Sequence, residues 1–215
     1  MPHVSAHQFV SKRRYKPDAL FEKYRVIRAA TSDEDFFNRP EHQRTQELWC
    51  AAHFANAYDK YLAPCMVLID ESTTNTDADF DLETAGKMFS FQVLEVQEPG
   101  RRRGDEYKQP ERLRPEHDLS RGSVLGPQWV REGIQRKVAK RYANAQTLNL
   151  LIYLNFPAWE QQYHDIRNAC VEVAKTFASI WLLNGNTMCV IKANPDLLTF
   201  EGWMVIPESV WHDDR

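Results

Sequence analysis

The stretch ADFDLETAGKMFSFQVLEVQ, residues 78–97, holds two runs of alternating residues on either side of a short glycine-containing connection. That pattern is a strand, a hairpin-type turn and a longer strand. In the first run the period of two places Asp79, Asp81 and Glu83 on one face, and Phe80 and Leu82 on the other. In the second, Phe89, Phe91, Val93, Glu95 and Gln97 share a face that begins apolar and ends acidic. A carboxylate that continues an apolar row is costly to bury unless it meets a cation. Asp79 or Asp81 near Glu95 is therefore expected to form a site for a hard divalent ion. The plainer alternative has the three acids of the first strand facing water on an edge hairpin and Glu95 paired with a loop arginine.

The segments around this hairpin supply the other elements. Residues 17–30 start with proline and repeat Leu20, Tyr24 and Ile27 at helical spacing, which predicts a first helix. Residues 40–62 open on Pro40 and run without glycine or further proline, the strongest helical signal in the chain. CMVLID (65–70) and TLNLLIYLN (147–155) are apolar runs of strand length, the second reading as covered on both faces. Residues 127–145 and 161–180 carry helical periodicity, and SIWLLNGNTMCVIKA reads as two strands around an Asn-Gly-Asn turn, with GWMVIPE a final short strand. Helix, strand and helix in succession around a continuous apolar strand predict an α/β class, a mixed central sheet flanked by helices. The expected organisation is a basic arm and short helix over residues 1–39, then one α/β domain over 40–215 with a charged loop at 98–126.

Composition narrows the classes. The 215 residues are 43% hydrophobic with six tryptophans, which fits a globular chain and excludes disorder throughout. A net charge of −3 offers no broad attraction to nucleic acid or an anionic membrane, so such binding needs a local patch. Cys50, Cys65, Cys170 and Cys189 are widely spaced with no C-x-x-C pair, and read as reduced core thiols. No apolar segment approaches the length of a membrane span, and a cytoplasmic protein without membrane contact is expected.

Charge is concentrated in two places. Residues 98–126 mix seven Lys/Arg with six Asp/Glu, beginning with the run Arg101, Arg102, Arg103. Helix 127–145 adds five Lys/Arg against the single acid Glu132. On a helical wheel Lys137 and Arg141 border the apolar stripe of Val130, Ile134, Val138 and Tyr142, so both could point toward the sheet or snorkel to water. Glu47 is an acid in the apolar stripe of the long helix, either functional or paired with Arg44.

An acid in ADF, a hairpin, a longer strand ending in LEVQ, a basic helix and a strand such as LLIYLN together resemble the PD-(D/E)XK nuclease-like superfamily. The resemblance covers residues 40 to 185 as an arrangement of elements. It implies a restriction-endonuclease-like core, with Ala78-Asp79 in the place of the family's Pro-Asp and Glu95-Val96-Gln97 in the place of its acid-x-lysine. Gln97 departs from the lysine, which Lys137 could supply from the following helix. On this resemblance Asp79, Glu95, the carbonyl of Val96 and Asp81 would hold Mg²⁺ or Mn²⁺, and Glu47 would be a supporting acid. Arg101, Arg102, Arg103, Lys140 and Arg141 would meet the phosphates of a nucleic acid. The function implied is a metal-dependent nuclease acting on DNA or RNA, possible as a homodimer. The alternative is a nuclease-like module that binds nucleic acid or protein without cleavage, and a third reading is an interaction protein whose 98–126 loop orders on a partner.

Overall fold

The computed structural model describes residues 12–70, 78–101, 119–142, 144–156 and 163–206. Its frame is one mixed sheet of eight strands whose order in space is their order in the chain. The strands are β1 (Lys12–Tyr15), β2 (Cys65–Asp70), β3 (Phe80–Thr84), β4 (Lys87–Gln97), β5 (Asn149–Asn155), β6 (Ser179–Asn184), β7 (Thr187–Lys192) and β8 (Trp203–Val205). β4, β5 and β6 run parallel, and every other neighbouring pair is antiparallel. The helices are α1 (Pro17–Ala29), α2 (Asp33–Asn38), α3 (Gln43–Tyr61), α4 (Leu119–Ala139) and α5 (Tyr163–Cys170). The expected mixed α/β sheet flanked by helices is what the chain forms.

Each face of the sheet has its own core. Phe80, Leu82, Phe89, Phe91, Leu151 and Trp181 pack on one side against α1 and α3. Val96, Leu150, Ile152, Leu154, Ile180 and Leu182 pack on the other against α4 and α5. α3 is buried almost all round from Cys50 to Tyr58, its alanines letting it lie close to both α1 and the sheet. On the opposite side Gly133 brings α4 close to β4, since a Cβ there would meet Val96 Cγ2 at 3.0 Å.

The central hairpin turns through Ala85 and Gly86, at φ 49° and 73°. Two consecutive left-handed residues make the tight connection whose twist matches antiparallel strands. Its register sets Phe80 opposite Phe91 and Asp81 opposite Ser90. Directly opposed residues project on the same face. The acids of β3 therefore share a face with the even-numbered residues of β4, not with Phe91, Val93 and Glu95.

Several elements differ from the sequence expectation. Residues 12–15 of the expected arm form the edge strand β1. Residues 33–38, which follow the one helix expected in the first 39 residues, form a second helix, α2, capped by Ser32, whose side chain accepts from the Asp35 amide at 3.2 Å. α4 begins at Leu119, eight residues before the expected start, and Pro127 lies inside it. Gly122 and Gly126 are buried, so packing overrides the loop-like composition of this segment. The rest of the expected charged loop, 102–118, lies outside the described residues. The helix expected over 161–180 is the short α5 followed by a 3₁₀ turn at Val173–Thr176.

β1 also answers the question posed by the strand acids. Lys12 Nζ donates to Asp81, which is only 2% exposed and also accepts from Ser90 Oγ at 2.6 Å. Arg14 Nη2 reaches Glu83 at 2.9 Å. Two acids of β3 are thus matched by two cations of β1 across the intervening strand. Lys12→Met should leave Asp81 buried without its cation and lower stability by roughly 1–3 kcal/mol, read from urea denaturation. Arg14→Met, on the more exposed pair, should change it by less than about 1 kcal/mol.

Candidate functional site

β4 continues beyond the start of β3, and the polar cluster of the molecule sits at this overhang. Asp79 precedes β3 and its amide donates to the Phe91 carbonyl at 2.8 Å. Its carboxylate Oδ2 accepts from the Val93 amide at 2.7 Å, supplying the acceptor that a continued β3 would have offered. Because the sheet is locally narrower there, side chains from both helical layers reach the same place.

From α3, Arg44 and Glu47 approach the overhang. Arg44 Nη1 lies 3.2 Å from Glu47 Oε2 and 3.9 Å from Asp79 Oδ1, so one guanidinium bridges the two carboxylates. Its Nη2 donates to the Asp70 carbonyl at 3.1 Å, which fixes the fork against the end of β2. From α4, on the other side of the sheet, Lys137 Nζ donates to Gln92 Oε1. Tyr142, just beyond the helix, donates to the same oxygen at 3.1 Å, and Lys137 Nζ stands 5.9 Å from the centre of its ring.

Partial burial shapes the electrostatics. Desolvation raises the pKa of Asp79, opposed by the Val93 hydrogen bond and by Lys137, Arg44 and Lys140. Desolvation also raises Glu47, and the neighbouring Asp79 charge adds to the effect. Lys137 moves the other way: burial lowers its pKa against the pull of Asp79. Acids pushed up and a lysine pushed down in one half-buried cluster bring proton exchange closer to neutral pH. Two carboxylates and two cations make the cluster formally neutral, so protonating one acid leaves it cationic.

The expected site residues divide accordingly. Asp79, Glu47 and Lys137 are brought together. Glu95 is not among them: it is exposed further along β4, with its Oε1 accepting from Asn155 Nδ2. Val96 faces the α4 core, Asp81 is held by Lys12 and Ser90, and Gln97 is the half-buried last residue of β4. The set expected for Mg²⁺ or Mn²⁺, Asp79 with Glu95, Val96 and Asp81, therefore does not converge. Among the described residues no group of three or more His, Cys, Asp and Glu side chains is arranged to hold a metal ion.

Arg101 donates to the Asn155 carbonyl at 2.8 Å and so belongs to the Glu95 end of the sheet. Arg102 and Arg103 lie outside the described residues. Lys140 is exposed next to the cluster and acts on it through its charge. Arg141 is exposed past the end of α4 at φ 52°, so the helical stripe expected to carry it has already ended. Sequence reasoning missed Gln92, Tyr142 as a donor, and the bridging role of Arg44.

The cysteines are as expected free and buried, and desolvation pushes Cys65 and Cys170 up to about 12. No described helix is long and apolar enough to cross a membrane.

No family model matches the chain, and no curated protein matches it. A solved structure of a Pseudomonas aeruginosa strain PAO1 protein of unknown function, of the monooxygenase superfamily, is similar at 15% identity and a TM-score of 0.45, over 90% of this chain and 97% of that one. That likeness transfers no chemistry. The PD-(D/E)XK identity expected from the sequence is corrected by this finding: the structure found to be similar is that of a monooxygenase-superfamily protein of unknown function, not of a PD-(D/E)XK nuclease. The metal-dependent nuclease reading and its non-cleaving nuclease-like alternative fall with it, and of the expected fold class the mixed α/β sheet flanked by helices is what stands.

Proposed function

We propose that the overhang cluster binds a small ligand through an anionic group and exchanges a proton with it. The observation that carries this is the convergence of Lys137 and Arg44 on two carboxylates whose protonation is favoured by burial. Arg44 offers a fixed fork for paired oxygens, and Lys137 offers an ammonium anchored by Gln92. The exposed Lys140 adds long-range attraction. Asp79 and Glu47 titrate as a pair, so the first proton they take is held jointly. That proton removes the negative charge that competes with an incoming anion, and is then available as a general acid. Lys137, once deprotonated, is the corresponding base.

The test is sulfate binding followed by calorimetry from about pH 5 to about pH 9, since sulfate keeps its charge over this range and the protein alone titrates. Acids with raised pKa take up protons at higher pH than ordinary carboxylates, and a lysine with lowered pKa loses its proton at lower pH than an ordinary lysine. Both make the cluster less cationic as pH rises. Affinity should therefore fall steadily with increasing pH, by at least about tenfold across the range. Absent binding, or binding independent of pH, would remove the reading.

A further inference from the structure

Next to the cluster, the chain between α4 and β5 forms an open cleft of about 560 Å³ with the 3₁₀ turn that follows α5. Tyr142, Asn144, Gln146, Thr147, Lys175 and Thr176 line it. Apart from Lys175 these side chains are uncharged, and Lys175 is paired with Glu172 at 2.8 Å. The cleft thus presents hydroxyls, amides and a single ammonium whose charge is matched by Glu172 outside the lining. Such a lining recognises a group rich in hydroxyls.

Tyr142 belongs to both places. It lines the cleft, while its hydroxyl donates to the oxygen of Gln92 that also holds Lys137. The ammonium is 5.9 Å from the ring centre, so a ligand seated in the cleft needs to reach only about the width of one ring to place an anionic group at Lys137. We infer that the cleft is the second half of the ligand site, and that the ligand is a phosphorylated sugar, free or as the sugar of a nucleotide. The sugar occupies the cleft and the phosphate meets Lys137 and Arg44. This inference rests on the anion-binding reading of the cluster and names the class of ligand for it.

The experiment compares inorganic phosphate, ribose 5-phosphate and adenosine 5′-monophosphate by calorimetry, on the native chain and on a Gln146→Ala, Thr147→Ala double variant. Both positions are exposed, and thermal melts of the two chains check folding. The expected result is that both organic phosphates bind at least about tenfold more tightly than phosphate. The double variant should lose that advantage while keeping phosphate binding. A further gain for adenosine 5′-monophosphate over ribose 5-phosphate identifies the nucleotide as the source, and equal affinities identify the free sugar phosphate. If phosphate binds and the organic phosphates bind no better, the cleft inference fails and the cluster reading stands. If the advantage survives in the double variant, the cleft is not its origin and the inference fails likewise. If none of the three binds, the cluster reading fails first.

Discussion

Lys137→Met is expected to weaken sulfate and phosphate binding by at least about tenfold at neutral pH, a loss of about 1.4 kcal/mol or more. Methionine keeps the length and apolar stem of lysine, so the packing of α4 on β4 is preserved while the ammonium is removed. Gln92 loses one donor and retains Tyr142. Asp79 and Glu47 lose a cation that opposed their burial, so their protonation should shift to still higher pH. Lys137→Arg separates charge from titration. A guanidinium restores the positive charge but cannot deprotonate near neutral pH, so anion binding should return while its decline toward alkaline pH is blunted. If Lys137→Met binds anions as the native chain does, Lys137 is a structural residue held by Gln92, and the proposed chemistry has no base.

The largest effect on stability is expected from Phe91→Ala. Phe91 is wholly buried, its ring stacked on Phe80 with centroids 4.9 Å apart and planes at 7°, and it lies 5.0 Å from Phe54 of α3. Truncation opens a cavity between three elements that cannot all relax into it. The loss should be roughly 3–5 kcal/mol, lowering the melting temperature on the order of 10 °C for a chain of this size. Met88→Ala, three residues earlier on the same strand but 52% exposed, should change stability by no more than about 0.5 kcal/mol. A small change at Phe91 would mean that the apolar core on the α3 side is looser than its ring contacts imply.

How far the sequence could be read follows from which signals are local. Alternation in β3 and β4, helical spacing in α1 and α3, and the continuous apolar run of β5 are set within each segment, and all of them hold. The candidate site depended on register. Glu95 is expected near Asp79 or Asp81 because it continues an apolar row with a carboxylate that needs a cation. Yet a two-residue turn at Ala85 and Gly86 pairs Thr84 with Lys87 and Phe80 with Phe91, and beyond that pair the ladder is irregular: the Asp79 amide donates to the Phe91 carbonyl and its carboxylate accepts from the Val93 amide. A hairpin with a two-residue loop joins odd positions of one strand to even positions of the other, which sets Asp81 and Glu83 opposite Ser90 and Met88, but the cluster at Asp79 lies past the paired residues and could not be read from the turn. Glu47 and Lys137 stood out because each is charged beside an apolar stripe, a cost that asks for a partner. Arg44 and Tyr142 carried no such signal. The extent of α4 could not be read, because Gly122, Gly126 and Pro127 argue locally for a loop and only their burial against the rest of the fold says otherwise. The cations of β1 lay in what reads as a basic arm, and their role appears only once Asp81 and Glu83 are two strands away.

The sheet keeps its strands in chain order, and this shapes how the molecule assembles. β2 to β4 and β6 to β8 are antiparallel runs linked by connections within each run, so each can close early from neighbouring segments. The parallel joint between β4 and β5 needs chain ends separated by the whole of α4 to meet, and closing such a span is entropically slow. Gly133, lying against Val96 and Leu94, belongs to that late joint. Substitutions there should slow folding more than they speed unfolding if the joint closes in the transition state, and the reverse if it closes after it. The overhang of β4 over β3 lies on the edge of this same joint, so the Asp79, Glu47 and Lys137 cluster is complete only when the last large piece of the sheet has docked.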